Sequence, residues 1–230
     1  MPSGSDPGKT KGLRKHQLLA VSLGTAILSG ELVPGELVGG EILQSEAHGV
    51  SRTAYREAIR ILVAKGLLES RPKAGTHVTP RRRWNLLDPD ILAWMFSGKP
   101  DERFIADLFE LRGVLEPAAA ALAAERHNPD QLAAMDQALD RMKRHGLSNA
   151  AGQAADQDFH TMILEASGNE ALASLSSSVG AAVSWTTRYK QRGGEPPRDP
   201  LPEHIALRDA IAARDIELAR QAMTRLVDLA

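Results

Sequence analysis

The chain has 230 residues, 43% of them hydrophobic and 4% aromatic, with a formal net charge of -1. No apolar run reaches the length of a membrane span, the opening MPSGSDPGKTKGLRKH lacks the apolar stretch of a signal peptide, and cysteine is absent. A membrane protein, a disulfide scaffold and thiol chemistry are therefore not expected, and the cytoplasm is the expected compartment. The near-zero charge hides an asymmetry. Residues 1–83 carry 13 Lys and Arg against 7 Asp and Glu, a net +6, whereas residues 84–230 carry 15 against 22, a net -7. A basic module suited to a polyanion is joined to an acidic one.

Residues 1–12 read as a solvated tail. Leu13 to Ser29 has helical periodicity and stops at Gly30. A turn at Pro34-Gly35 leads to a short helix from Gly40 to Ala47, then a tight turn at His48-Gly49-Val50. Ser51 caps a helix running to Lys65, with Gly66 just past its end. Two strands, Leu67 to Arg71 and Thr76 to Thr79, flank the turn Pro72-Lys73-Ala74-Gly75. Residues 81–99 form a linker that begins at Arg81-Arg82-Arg83 and holds a short helix from Asp88-Pro89 through Phe96. Five helical patterns follow, about 101–126, 129–145, 150–166, 170–191 and 202–229. Pro117 should kink the first, and the last should break near Arg214-Asp215. Gly and Pro crowd the loop from Gly193 to Pro202.

Helical projection of 51–65 puts Ala54, Ala58, Ile61 and Leu62 on one arc and Arg52, Thr53, Arg56 and Arg60 on the other. The first arc docks the helix. The second presents arginines, whose planar fork suits guanine edges or phosphate oxygens.

In this order Pro34-Gly35, Gly49-Val50-Ser51-Arg52, Arg56-Glu57-Ala58-Ile59, Leu62, Gly66-Leu67-Leu68 and Gly75-Thr76-His77-Val78 resemble the winged helix-turn-helix of GntR-type regulators. The resemblance implies that Arg52 and Arg56, with Ser51 and Thr53, face operator DNA, and that the wing tip, Lys73 to Gly75, enters the minor groove. One feature departs from the family. Val38-Gly39-Gly40-Glu41-Ile42 replaces the usual Leu-Pro-Ser-Glu-basic run, so Ile42 stands where some relatives place a DNA-contacting arginine.

Leu111-Arg112 with Glu116-Pro117, Asp156-Gln157-Asp158-Phe159-His160, Ser167-Gly168-Asn169 and Glu203-His204 resemble the all-helical effector domain of the FadR subgroup. The expected architecture is mainly α: a winged helix-turn-helix over 13–80, the linker, and an antiparallel helical bundle over 100–230 for effector binding and dimerisation. Asp156 and His160, at i and i+4, share a helix face and can share a divalent ion such as zinc, nickel or manganese. The resemblance adds His204 as a third ligand. It places Leu226 where a fourth histidine would stand, which leaves open a metal-free site bonding the ligand directly.

Arg112 lies in an apolar stripe and needs an anion, either Glu116 at i+4 or an effector carboxylate. The resemblance favours the carboxylate. Asn169 could bond an effector hydroxyl or cap the next helix, and Trp185 and Arg188 are further pocket candidates. The linker run Arg83 to Trp94 resembles that of sugar-acid sensors, which suggests a sugar acid such as galactonate as effector. The expected protein is a homodimeric, non-enzymatic repressor, with Trp84 and Trp94 of the linker packed against the bundle as transmitter. A metal-dependent hydrolase and a ligand-independent DNA-architectural protein are the alternatives.

Overall fold

A computed structural model describes residues 14–98, 101–190 and 199–229. The expected tail at 1–12 and most of the Gly/Pro-rich loop lie outside the described residues. The chain divides into two compact units, Met1–Pro100 and Asp101–Ala230.

In the first unit α1, Lys15–Ser29, ends where Gly30 takes a left-handed φ of 83°. Helix α2, Glu41–Ala47, and α3, Arg52–Ala64, are joined through Gly49 at φ 61°. Ser51 Oγ accepts the Ala54 N–H at 3.2 Å and so fixes the start of α3. Strands β1, Leu68–Arg71, and β2, Gly75–Val78, pair antiparallel with Leu68 opposite Val78. Residues 35–38 add a short edge to this wing, with Gly35 N–H bonded to Val78 O and Val38 N–H to Thr76 O, both 2.8 Å. The buried arc of α3 is Tyr55, Ala58, Ile59 and Leu62, while Ala54 and Ile61 are half-buried. The docking face is thus rotated from the expected one. Tyr55 accounts for this, since its ring fills the core and its Oη donates to Val38 O at 3.1 Å.

After a single 3-10 turn, Arg81–Arg83, helix α4 spans Pro89–Ser97 and is capped by Asp88. Trp84 and Trp94, expected to face the helical bundle, make their described contacts within this unit. The Trp94 ring lies against Gly24 of α1, so close that a Cβ there would sit 2.5 Å from it. Trp84 Nε1 donates to Thr79 O at 3.0 Å. Lys65, at the end of α3, reaches Asp88 at 2.6 Å and Asp90 at 2.8 Å and lies over the Trp94 ring. These contacts make α4 part of the first unit.

The second unit is helical: α5 Glu102–Arg126, α6 Pro129–His145, α7 Ala150–Ala166, α8 Glu170–Ser174, α9 Ser176–Lys190, α10 Leu201–Ala212 and α11 Ile216–Leu229. Helix α5 runs on through Pro117. Its alanines at 119, 120, 123 and 124 are fully buried, and their small size lets α11 pack closely on it. The pattern read as one helix over 170–191 divides at Leu175, whose N–H bonds to Leu172 O at 3.0 Å, three residues back. The serines at 176–178 are weak helix formers and resist a continuous helix there. At the expected break after α10, Arg214 takes φ 57°, and its guanidinium bonds Glu125 O at 2.6 Å and His127 O at 3.1 Å.

Candidate functional site

In the first unit α3 turns Arg52, Thr53, Arg56 and Arg60 to solvent. Arg56 is held from α2, its Nε 2.8 Å from Glu41 Oε2, and Arg60 pairs with Glu57 at 2.5 Å. Ile42, beside Glu41, is half exposed. Ser51 is exposed and uses its oxygen as the helix cap, so its hydroxyl proton is still free to be donated. At the wing tip Lys73 and Gly75 both have positive φ, 61° and 89°. The φ of Gly75 is one that L side chains rarely adopt, and a Cβ there would also push the Leu37 side chain aside, so this turn favours glycine. The His77 ring ties the tip down, with Nε2 2.8 Å from Ala74 O and Nδ1 3.2 Å from Gly35 O.

In the second unit α5, α7, α9 and α10 bring a polar cluster into the core. Arg112 is 1% exposed, Glu116 0%, Asp156 2%, His160 1% and His204 2%. Arg112 Nε donates to Glu116 Oε1 at 2.6 Å, and Nη1 donates to Thr186 Oγ1 at 2.6 Å. The other carboxylate oxygen, Glu116 Oε2, lies against His160 Nδ1. His160 Nε2 is 3.7 Å from Asp156 Oδ1, and His204 Nε2 is 2.9 Å from the same oxygen. Thr187 Oγ1 donates to Asp156 Oδ2 at 3.1 Å. His204 Nδ1 is 2.8 Å from Pro200 O.

Burial raises the pKa of Asp156, but the His204 hydrogen bond and the neighbouring His204, His160 and Arg112 outweigh it and hold the carboxyl near about 2. Burial likewise opposes ionisation of Glu116. Arg112 and His160 outweigh it, and this carboxyl too lies at about 2. Both acids are therefore carboxylates at neutral pH, enclosed with one guanidinium and two imidazoles.

The ligand atoms of Asp156, His160 and His204 lie within 4.8 Å of one another. Nitrogen and oxygen ligands about 2.0–2.1 Å from a tetrahedral ion stand roughly 3.3 Å apart, so the separations of 2.9 and 3.7 Å bracket that geometry. The tautomers also fit. The Pro200 carbonyl can only accept, so His204 Nδ1 carries a proton and Nε2 is left with a lone pair facing Asp156, unless a second proton sits there. Two acceptors at that range need a proton or a cation between them.

Four expected residues thus converge: Arg112, Asp156, His160 and His204. Arg188 and Trp185 on α9 lie beside them through Gln153, with Arg188 Nε donating to Gln153 Oε1 at 2.7 Å and its guanidinium 4.9 Å from the Trp185 ring. Asn169 Oδ1 accepts from Ala171 and Leu172 N–H at 3.0 and 3.2 Å and so caps α8, which leaves its Nδ2 as the group that could meet an effector hydroxyl. Leu226 is buried in the apolar core. Glu116 was foreseen only as the partner of Arg112, and Thr186, Thr187 and Gln153 were not singled out. Threonine and glutamine carry no spacing signal, although their place beside Trp185 and within one turn of Asp156 was visible.

The model of the bacterial regulatory proteins of the gntR family matches residues 17–78, and that of the FCD domain matches 107–229. The galactonate operon transcriptional repressor of Escherichia coli K12 is 35% identical over 218 residues, 94% of each chain. The regulator LutR of Bacillus subtilis is 33% identical over 166 residues, covering 72% of this chain and 74% of that one. Among solved structures, a Streptococcus agalactiae GntR protein matches with a TM-score of 0.50 at 27% identity, over 93% of this chain and 97% of its own. The gntR model falls on the winged helix-turn-helix and the FCD model on the helical domain that holds the buried polar cluster. The chain belongs to the GntR family of DNA-binding transcription regulators, in the group that carries an FCD domain.

Proposed function

We propose that this regulator is a repressor that binds its operator as a homodimer and releases it when a small hydroxylated carboxylate, of the sugar-acid class, enters the helical domain. The observation that carries this reading is the buried guanidinium of Arg112 beside Asp156, His160 and His204. Arg112 has five N–H groups, and protein acceptors among the described residues take two of them. The remaining N–H groups suit a carboxylate. Thr187, Gln153 and Arg188 offer polar partners for hydroxyls. Similarity to the galactonate operon repressor favours a sugar acid. Asp156, His160 and His204 would hold a divalent ion, zinc, nickel or manganese, which when bound supplies positive charge for effector oxygens. Two-fold symmetry would set two α3 helices on a near-palindromic site.

An effector acts on DNA affinity only through its differential affinity for two arrangements of the protein. Helix α4 is suited to transmit the change, because Lys65 joins its first turn to the end of α3. A thermal-shift screen of sugar acids, hydroxy acids and fatty acyl compounds, with and without chelator, tests the reading. A sugar acid should raise the melting temperature and release operator DNA. Stabilisation by acyl compounds alone would reject it. Light scattering should give a dimer at micromolar concentration, and a monomer with full operator affinity would reject that part.

A further inference from the structure

Glu116 touches two functional groups at once. One oxygen is fixed by Arg112 Nε at 2.6 Å, and the other lies against His160 Nδ1. Glu116 Oε2 and His160 Nδ1 are both buried without a well-aligned hydrogen-bond partner among the described residues, and they lie against one another, so a small rotation of either group lets each satisfy the other. A carboxylate can only accept. His160 must therefore keep a proton on Nδ1, and its Nε2, facing Asp156, is left with a lone pair unless a second proton sits there. His204 is set the same way by the Pro200 carbonyl. We propose that Glu116 is the positioning residue of this centre: anchored by Arg112, it fixes the His160 tautomer in which Nε2 can ligate a cation. This rests on the metal reading above, and it adds that the same carboxylate links the anion-binding arginine to a metal-binding histidine.

The experiment compares wild type, Glu116→Gln and the double variant Arg112→Met/Glu116→Gln. In Glu116→Gln the Arg112 guanidinium still demands the amide oxygen, so the amide NH2 faces His160 Nδ1 and drives the proton to Nε2. In the double variant that demand is gone, the amide can turn, and its oxygen can again accept from Nδ1. Two quantities are read: the His160 tautomer in metal-free protein by long-range 15N–1H correlation at about pH 8, above the ordinary histidine range, and zinc affinity by competition with a chelator. The expected result is an Nδ1–H tautomer in wild type, Nε2–H with a zinc affinity lowered about 10–100-fold in Glu116→Gln, and return toward wild type in the double variant. A role in packing alone predicts no tautomer change and no return. An Nε2–H tautomer in wild type, or wild-type zinc affinity in Glu116→Gln, overturns the proposal. The wild-type tautomer is read on unaltered protein, so a variant that fails to fold does not remove the test. No zinc uptake by wild type would overturn the metal reading, while the tautomers would still decide the role of Glu116.

Discussion

His204 Nε2 lies 2.9 Å from Asp156 Oδ1 although His204 Nδ1 is already committed to the Pro200 carbonyl. The pair joins α10 to α7 across 48 residues of sequence. Substituting His204 with Leu should therefore have two effects. The metal-free protein loses a buried partner of Asp156, which costs about 3–5 kcal/mol when a carboxylate is left uncompensated. Added zinc or nickel should no longer raise the melting temperature. Denaturant titration and thermal shift read these separately, and undiminished stabilisation by zinc would remove His204 from the site.

Arg112 has Glu116 as its buried partner, so truncation to Ala would strand a carboxylate in the core. Arg112→Lys keeps the charge but loses the planar fork. Effector affinity should fall about 10–100-fold, the range for losing a hydrogen bond to a charged group. Operator binding without effector should be unchanged. Calorimetry and fluorescence anisotropy check the two parts, and an unchanged effector dose response would move the carboxylate elsewhere.

The recognition helix gives a paired prediction. Arg52→Ala and Arg56→Ala should each weaken specific operator binding about 5- to 100-fold if the side chains read bases. Glu41 occupies Arg56 at 2.8 Å and faces the same surface. Glu41→Gln should strengthen binding to unrelated duplex DNA a few-fold at low salt, with the gain lost as salt rises. Anisotropy across a salt series reads this, and weaker binding would show that Glu41 holds Arg56 in its DNA-bound pose.

Gly24 tests the seating of α4. Its Cα hydrogen takes the space where a Cβ would stand 2.5 Å from the buried Trp94 ring. Gly24→Ala should gain helix propensity but lose more to overpacking, a net cost of about 1–3 kcal/mol. Chemical denaturation measures it. A stabilised variant would mean that α4 can move off α1 freely.

Much of the molecule was legible in its local pattern. Gly30, Ser51, Asp88, Asn128 and Gly146 mark helix ends because caps and left-handed turns depend on a few adjacent residues. The exposed Arg52–Arg56 face and the Asp156–His160 pair follow from helical periodicity alone. The same reasoning misplaced the α3 docking arc, because a large Tyr55 ring outweighed two smaller apolar residues in choosing the buried side.

By itself, then, the sequence determined the order of elements, the basic reading head and the residue types of the helical domain, since each depends on neighbours within a few turns. Tertiary structure alone decided which faces meet. It set His204 against Asp156, gave Glu116 both Arg112 and His160, brought Thr186 and Thr187 to the cluster, used Asn169 Oδ1 as a cap and seated Trp94 on Gly24. Periodicity fixes the direction in which a side chain leaves its helix. Only the packing of helices distant in sequence fixes what it finds there.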